Sequence, residues 1–311
     1  MGGSGGRYFP SFTPQEFKDK VRQAEEAARD EAYEAEANAL LADYLAQFND
    51  RDTAKIKEIL DRVRNELTDE FEETVELLFG GSVAKRTYVD GLSDVDALLL
   101  LNPANAGEQT PEEVKQTCAK RLRELFGKDA VSAGRLALTV ETDGQVLQFL
   151  PALRSGEHFK ISNPEGTDWA RIRPRAFAQS LSEANANLGY KLVPTIKLAK
   201  AIIGQLPEQR RLSGYHVEAL ALKIFENYTG EQLPRAMLKY FFENASGKLQ
   251  RPMEDITGQS AHLDEYLGPA NSLQRKIMAD ACDRIGRRLK NADGAKDITL
   301  WKQVFGNGPT S

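Results

Sequence analysis

The stretch FGGSVAKRTYVDGLSDVDALLLL, residues 79–101, limits the fold more than any other part of this 311-residue chain. A strand sends residues i and i+2 to one face, so Asp94 and Asp96 point the same way at the mouth of a strand that the apolar run after them anchors in a core. Two carboxylates that close repel each other unless a cation sits between them. Just upstream, Gly80-Gly81-Ser82 lies ahead of a turn or helix, where backbone N–H groups can approach a phosphate and Ser82 can add its hydroxyl. Hard carboxylate oxygens suit Mg²⁺, which keeps waters and substrate phosphates as its remaining ligands. A glycine turn or an Asp-x-Asp pair alone reads as ordinary surface chemistry; the two joined at this spacing, with an apolar strand behind them, point to metal-dependent nucleotidyl transfer.

Charge and composition narrow the partners. Lys and Arg number 41 against 46 Asp and Glu, a net charge of −5 and a pI near 5.5, which offers no basic footprint for wrapping duplex nucleic acid. The two cysteines, Cys118 and Cys282, and the three histidines, His158, His216 and His262, are scattered without metal-ligand spacing. This fits a reducing compartment and argues against a Cys/His zinc site. No apolar run reaches the roughly 18 residues of a membrane span, and MGGSGGRYFP has neither the charged nor the apolar region of a signal peptide. Gly6 stands where a myristoylation signal wants Ser or Thr. A cytoplasmic location is expected, without membrane association.

Along the chain, Thr13 to about Asn49 reads as one long helix and Thr53 to about Leu67 as a second. ETVELLFGG then reads as a short strand and DVDALLLL as another, with a helix from about Pro111 to Phe126. Residues 136–153 show two β-rich runs joined at Asp143-Gly144, a two-residue hairpin signal that sets Gln145–Leu150 beside the strand carrying the aspartates. An irregular stretch is expected beyond Pro151. From about Arg175 to Asn291 the chain reads as helical, broken near 204–207, 230–234 and 258–268. The result is an α+β chain in two parts, residues 1–170 and 171–311, with a ligand site favoured in the cleft between them.

The GGS turn, the Ser-Asp-Val-Asp strand and the later Leu-Pro-Ala strand resemble the polymerase-β-type nucleotidyltransferases. The branch they are most similar to is that of cyclic GMP-AMP synthase, oligoadenylate synthase and their bacterial relatives in anti-phage signalling. The likeness spans most of the chain: GEHFKISNPEGTDWARIRPRAF resembles the family's connecting segment, VPTIKLAKAI with LSGYHVEALAL its helical lobe, and GQSAHLDEYLG a segment near its end. The resemblance implies a nucleotidyltransferase lobe with a small mixed sheet, an all-helical C-terminal lobe closing over the nucleotide, and a two-ion Mg²⁺ or Mn²⁺ mechanism. It assigns Gly81 and Ser82 to the donor phosphates and Asp94 and Asp96 to the metal. Lys200 matches the helical-lobe lysine that reaches the triphosphate, against its plainer reading as a solvated helix lysine. Tyr215 matches an aromatic that stacks on a base, a contact tolerant of base identity, against a core tyrosine. The family's phosphate-contacting serine directly precedes that tyrosine, where this chain has Gly214, so Ser213 stands one position early. His216 and Glu218 read as structural.

One departure changes the chemistry. The family's third carboxylate falls three residues before the Pro of Leu-Pro-Ala, and that position is Gln148. A neutral amide supplies no negative charge and accepts no proton from an attacking hydroxyl. An engineered substitution that traps substrate, a natural pseudoenzyme, and recruitment of Glu141 or Asp143 from the neighbouring strand all stay open.

The expected activity is template-independent joining of nucleoside triphosphates into a cyclic or short linear oligonucleotide second messenger that gates a downstream effector. The zinc insertion that lets the animal DNA sensor grip duplex DNA has no counterpart. The alternatives are a nucleotidyltransferase acting on RNA ends or on a protein, and a catalytically dead nucleotide-binding regulatory module.

Overall fold

The computed structural model describes residues 13–47, 53–71, 75–79, 95–102, 109–134, 136–155, 158–163, 166–172, 174–253 and 264–306. Two helices come first, α1 (Pro14–Gln47) and α2 (Thr53–Phe71). The strands β1 (Glu76–Phe79) and β2 (Val95–Leu101) follow, then α3 (Pro111–Phe126). Next come β3 (Val131–Ala133), β4 (Leu138–Thr142), β5 (Gln145–Ser155), β6 (His158–Ser162) and β7 (Trp169–Ile172). Among the described residues the rest of the chain forms helices: α4 (Pro174–Asn187), α5 (Leu192–Gly204), α6 (Gly214–Phe225), α7 (Pro234–Leu249), α8 (Leu273–Ala295) and α9 (Ile298–Val304).

The strands form one mixed sheet in the order β1-β2-β5-β4-β3, with β6 on β5 and β7 on β6. Among the described residues only the β2–β5 pairing is parallel. Both faces of β2 are covered: Ala97, Leu99 and Leu101 enter a core shared with α2 and α3, while Leu98 and Leu100 pack with Ala152 and Phe159 on the other side. An apolar run is what such a doubly covered strand requires. The helix α3 starts on a capping box, with Thr110 Oγ1 accepting from the Glu113 N–H and the Glu113 carboxylate accepting from the Thr110 N–H, and Pro111 at its first position. The β4–β5 turn has Asp143 at φ 52° and Gly144 at φ 73°, the pair of left-handed residues that a two-residue hairpin needs.

Beyond Pro151 the chain differs from the irregular stretch that its prolines and glycines suggest. β5 continues to Ser155, and β6 and β7 add two antiparallel strands. Pro151 is tolerated because β4 pairs with β5 only as far as Phe149 and β6 takes over from Ala152. The residue without an N–H therefore sits where that edge has no partner strand to receive one.

The helical part closes around a second core, built from α4 to α9 with Leu41 of α1. α5 is buried almost all round, with Leu192, Ile196, Leu198, Ala199, Ile202 and Ile203 in the interior. α4 and α5 are separated by a break that carries no proline: Gly189 and Tyr190 both adopt positive φ, 57° and 62°. Trp301 and Phe305, beyond the expected end of the helical region, are fully buried. α1 joins this part through Tyr33, Ala37 and Leu41. The Tyr33 hydroxyl accepts from Trp301 Nε1 at 2.8 Å, and Arg235 pairs with Glu34 at 2.8 Å and with Asp293.

Candidate functional site

The candidate residues fall into two groups, one on the sheet and one on the helices. On the sheet, the parallel ladder pairs Asp96 of β2 with Gln148 of β5, and β4 pairs Thr139 with the same Gln148. The flanking residues fix that register. Leu147 and Phe149 are fully buried in the core against α2 and α3, so a slip of one residue would drive Gln148 into that core and expose both. Gln148 is half-buried on the opposite face, the face of Leu150 and Ala152.

The two recruits suggested by the sequence separate here. Glu141 is exposed on β4 and pairs with Val146, so by alternation from Thr139 it shares the Gln148 face, one diagonal step along the hairpin. Asp143 occupies the turn itself. Gly81, Ser82 and Asp94 lie outside the described residues, and Asp96 enters through its backbone position alone.

On the helices, Lys200 is not the solvated lysine of its plainer reading. It lies inside the α5–α6 interface, 5% exposed, with its Nζ 2.7 Å from Oε1 of the equally buried Glu218. Gly214 makes room for it, since a Cβ there would lie 3.3 Å from Lys200 Nζ and 3.4 Å from its Cε. Ser213 is exposed and caps α6, its hydroxyl accepting from the His216 N–H at 3.2 Å. Tyr215 is half-buried, its ring 4.6 Å from that of Phe177 at an angle of 44°. Lysine, serine cap and tyrosine thus converge on the first turn of α6, whose N–H groups and dipole favour an anion.

Behind that turn, His216 is completely buried, with Nδ1 2.8 Å from the Tyr266 hydroxyl. Burial pushes the imidazole down to about 4, with the neighbouring Arg275 acting the same way and Asp264 opposing, so the ring is neutral at pH 7. Its Nε2 makes no hydrogen bond among the described residues. Arg275 organises the same corner: it pairs with Asp264 at 2.7 Å and donates to the backbone oxygens of Leu249, Arg251 and Gly268. Glu218 is the residue whose contact with a candidate the sequence did not announce. Its place as the Lys200 partner depends on two helices meeting, and no local spacing encodes that.

Among the described residues no group of three or more His, Cys, Asp or Glu side chains is placed to hold a metal, and no helix is long and apolar enough to cross a membrane.

The profile of the Second Messenger Oligonucleotide or Dinucleotide Synthetase domain matches residues 35–185. A comparison with proteins of curated function found no match. Among solved structures, CdnC of E. coli MS115-1, in complex with HORMA-deltaN, superposes with a TM-score of 0.63 at 18% identity, covering 89% of this chain and 98% of that one. Vibrio cholerae DncV, a cyclic AMP-GMP synthase described as a prokaryotic cGAS homologue, gives 0.61 at 13% identity, with 96% and 93% covered. The CD-NTase CdnG of Bradyrhizobium diazoefficiens, in complex with GTP, gives 0.62 at 14% identity, with 82% and 89% covered. The sheet and the helices together therefore have the fold of these bacterial nucleotidyltransferases, and residues 35–185 of this chain resemble the Second Messenger Oligonucleotide or Dinucleotide Synthetase domain.

Proposed function

We propose that this chain has the architecture of a template-independent synthase joining nucleoside triphosphates into a cyclic or short linear oligonucleotide, with its nucleophile-activating acid replaced by Gln148. The observation that carries this reading is the parallel pairing of position 96 with Gln148. A carboxylate at 148 would stand beside position 96, where an amide now stands.

In this reading Asp94 and Asp96 hold Mg²⁺ or Mn²⁺, whose chemistry is to neutralise phosphate charge and lower the pKa of the attacking hydroxyl. Gly81 and Ser82 take the donor phosphates, together with the α6 N-terminus at Ser213 and the Lys200 ammonium. Tyr215 offers a face to a base. Residues 1–170 and 171–311 act as two lobes with the site between them. With only two carboxylates, donor binding persists while proton removal from the acceptor hydroxyl loses its negative partner. Glu141, on the Gln148 face, is the nearer of the two recruits to replace it. The nucleotides bound by the solved relatives CdnG, with GTP, and CdnC, with ATP, support triphosphates as ligands. A product of this kind would act on a separate effector, in anti-phage signalling within the cytoplasm.

The test is incubation of the purified chain with the four ribonucleotides and the four deoxyribonucleotides, with Mg²⁺ or Mn²⁺, beside Gln148→Asp, resolving products by chromatography and mass spectrometry. Product from Gln148→Asp, at a rate about 10²-fold or more above the parent chain, is the expected result. Product from neither, with triphosphates bound, supports the second reading: a nucleotide-binding module that does not turn over. Gln148 favours this reading too.

A further inference from the structure

The helix α1 presents apolar surface on two opposite sides. From Asp30 onward it is fastened to the helical part: Tyr33, Ala37 and Leu41 are buried there, and Asp30 pairs with Lys296. Its first four turns, Pro14–Arg29, are exposed apart from the half-buried Asp19, an arm about 24 Å long at 1.5 Å per residue. Phe17 is 60% and Val21 41% exposed, two of the few large apolar side chains on the described surface. With Ala24 and Ala28, both exposed, they repeat at intervals of 4, 3 and 4, the spacing of a coiled-coil seam. At about 100° per residue these four fall within roughly 60° of one another, and the Tyr33–Ala37–Leu41 stripe lies roughly 180° round the helix. The seam therefore faces away from the body to which the same helix is fastened, and no rotation of α1 can bury both.

We propose that this seam binds the arm of a second copy of the chain, the two helices running antiparallel about a twofold axis. Size and charge choose that occupant and that direction. An antiparallel pair sets Phe17 against Ala28 of the other copy and Val21 against Ala24. Every layer then joins a large residue to a small one, and the axes stay evenly spaced. A parallel pair would stack Phe17 on Phe17 at one end and Ala28 on Ala28 at the other, splaying the helices. Beside the seam, antiparallel pairing brings Lys18 near Glu25 of the other copy, once on each side of the axis, an isologous arrangement of opposite charges. It also sends the two bodies to opposite ends of the paired arms. Four layers bury far less than the roughly 800 Å² per partner of a standard interface, so the dissociation constant should fall at about 10–100 μM.

Sedimentation velocity on the full chain from about 1 to about 200 μM tests this. The weight-average sedimentation coefficient should climb from monomer towards dimer across that range; a monomer throughout overturns the proposal, whatever other protein the arm binds. Phe17→Lys with Val21→Lys should abolish the climb while the melting temperature and far-ultraviolet circular dichroism stay unchanged, because neither side chain supports its own body. A dimer that survives this double change is held elsewhere and also overturns the proposal. Lys18→Glu should weaken association, and Lys18→Glu with Glu25→Lys should restore it. Restoration by Lys20→Glu with Glu25→Lys instead would mean a parallel pair and refute the antiparallel arrangement.

Discussion

The sheet and the helical part hold their polar candidates by opposite means. On the sheet, Gln148 is positioned by the backbone: two ladders and two buried neighbours, Leu147 and Phe149, fix where it stands. On the helices, Lys200 is positioned by its side chain, through an ion pair with Glu218 inside a packed interface. A position set by a ladder can change chemistry at little cost to the fold. One set by a buried ion pair cannot, because removing either partner leaves the other charge in an apolar interior.

The largest effect is expected at the buried ion pair. Glu218→Gln should destabilise the chain by about 3–5 kcal/mol, read as a lower denaturation midpoint at constant slope. Lys200→Met combined with Glu218→Leu should recover much of the loss, since a buried pair replaced by apolar groups leaves no charge stranded. A fall in Glu218→Gln no larger than that of a surface change would place the ion pair outside the stabilising core.

Acid should act on the helical part next. His216 is held near 4, below the ordinary histidine value of about 6.5, so the unfolded chain takes up its proton first as pH falls. The associated stability is fully present above about 6.5 and is lost as pH falls to about 4, a change of roughly 3 kcal/mol. His216→Phe should flatten that limb of the stability–pH curve; an unchanged limb would mean that other groups produce it.

On the sheet, Gln148→Asp should move the melting temperature little while changing turnover, the reverse of the pattern at Glu218. A large loss of stability in that variant would show that the ladder does not tolerate a charge at 148. The smallest effect belongs to the cap: Ser213→Ala should cost about 1 kcal/mol, with triphosphate affinity, measured by calorimetry, revealing whether the α6 N-terminus also serves a ligand.

The same division explains what the sequence made legible. The apolar run of β2 and the Asp143-Gly144 turn are local signals, and together they brought β5 beside β2 with Gln148 in place. Pro151 and the glycines around it read as a loop because a proline's exclusion from strands depends on which edge is paired, and that is a property of β4 and β6, not of the proline. On the helices, the turn at Gly189-Tyr190 was hidden by a tyrosine in a conformation that tyrosines seldom adopt. The burial of Lys200 was hidden for a different reason. The sequence offers a lysine on an apolar helix and a glutamate 18 positions later, and only the packing of α5 on α6 makes them one unit.

The parallel pairing of β2 with β5 has a consequence in time as well as in space. Asp96 and Gln148 are 52 positions apart in the chain, and parallel strands cannot meet through a tight turn. The β4–β5 hairpin can form by itself within microseconds, yet the ladder on which the two residues stand together exists only after the long crossover through α3 has closed. A nascent chain halted before β5 would carry Asp96 without its partner position at 148, so the chemistry proposed for this ladder comes into being with the completed sheet.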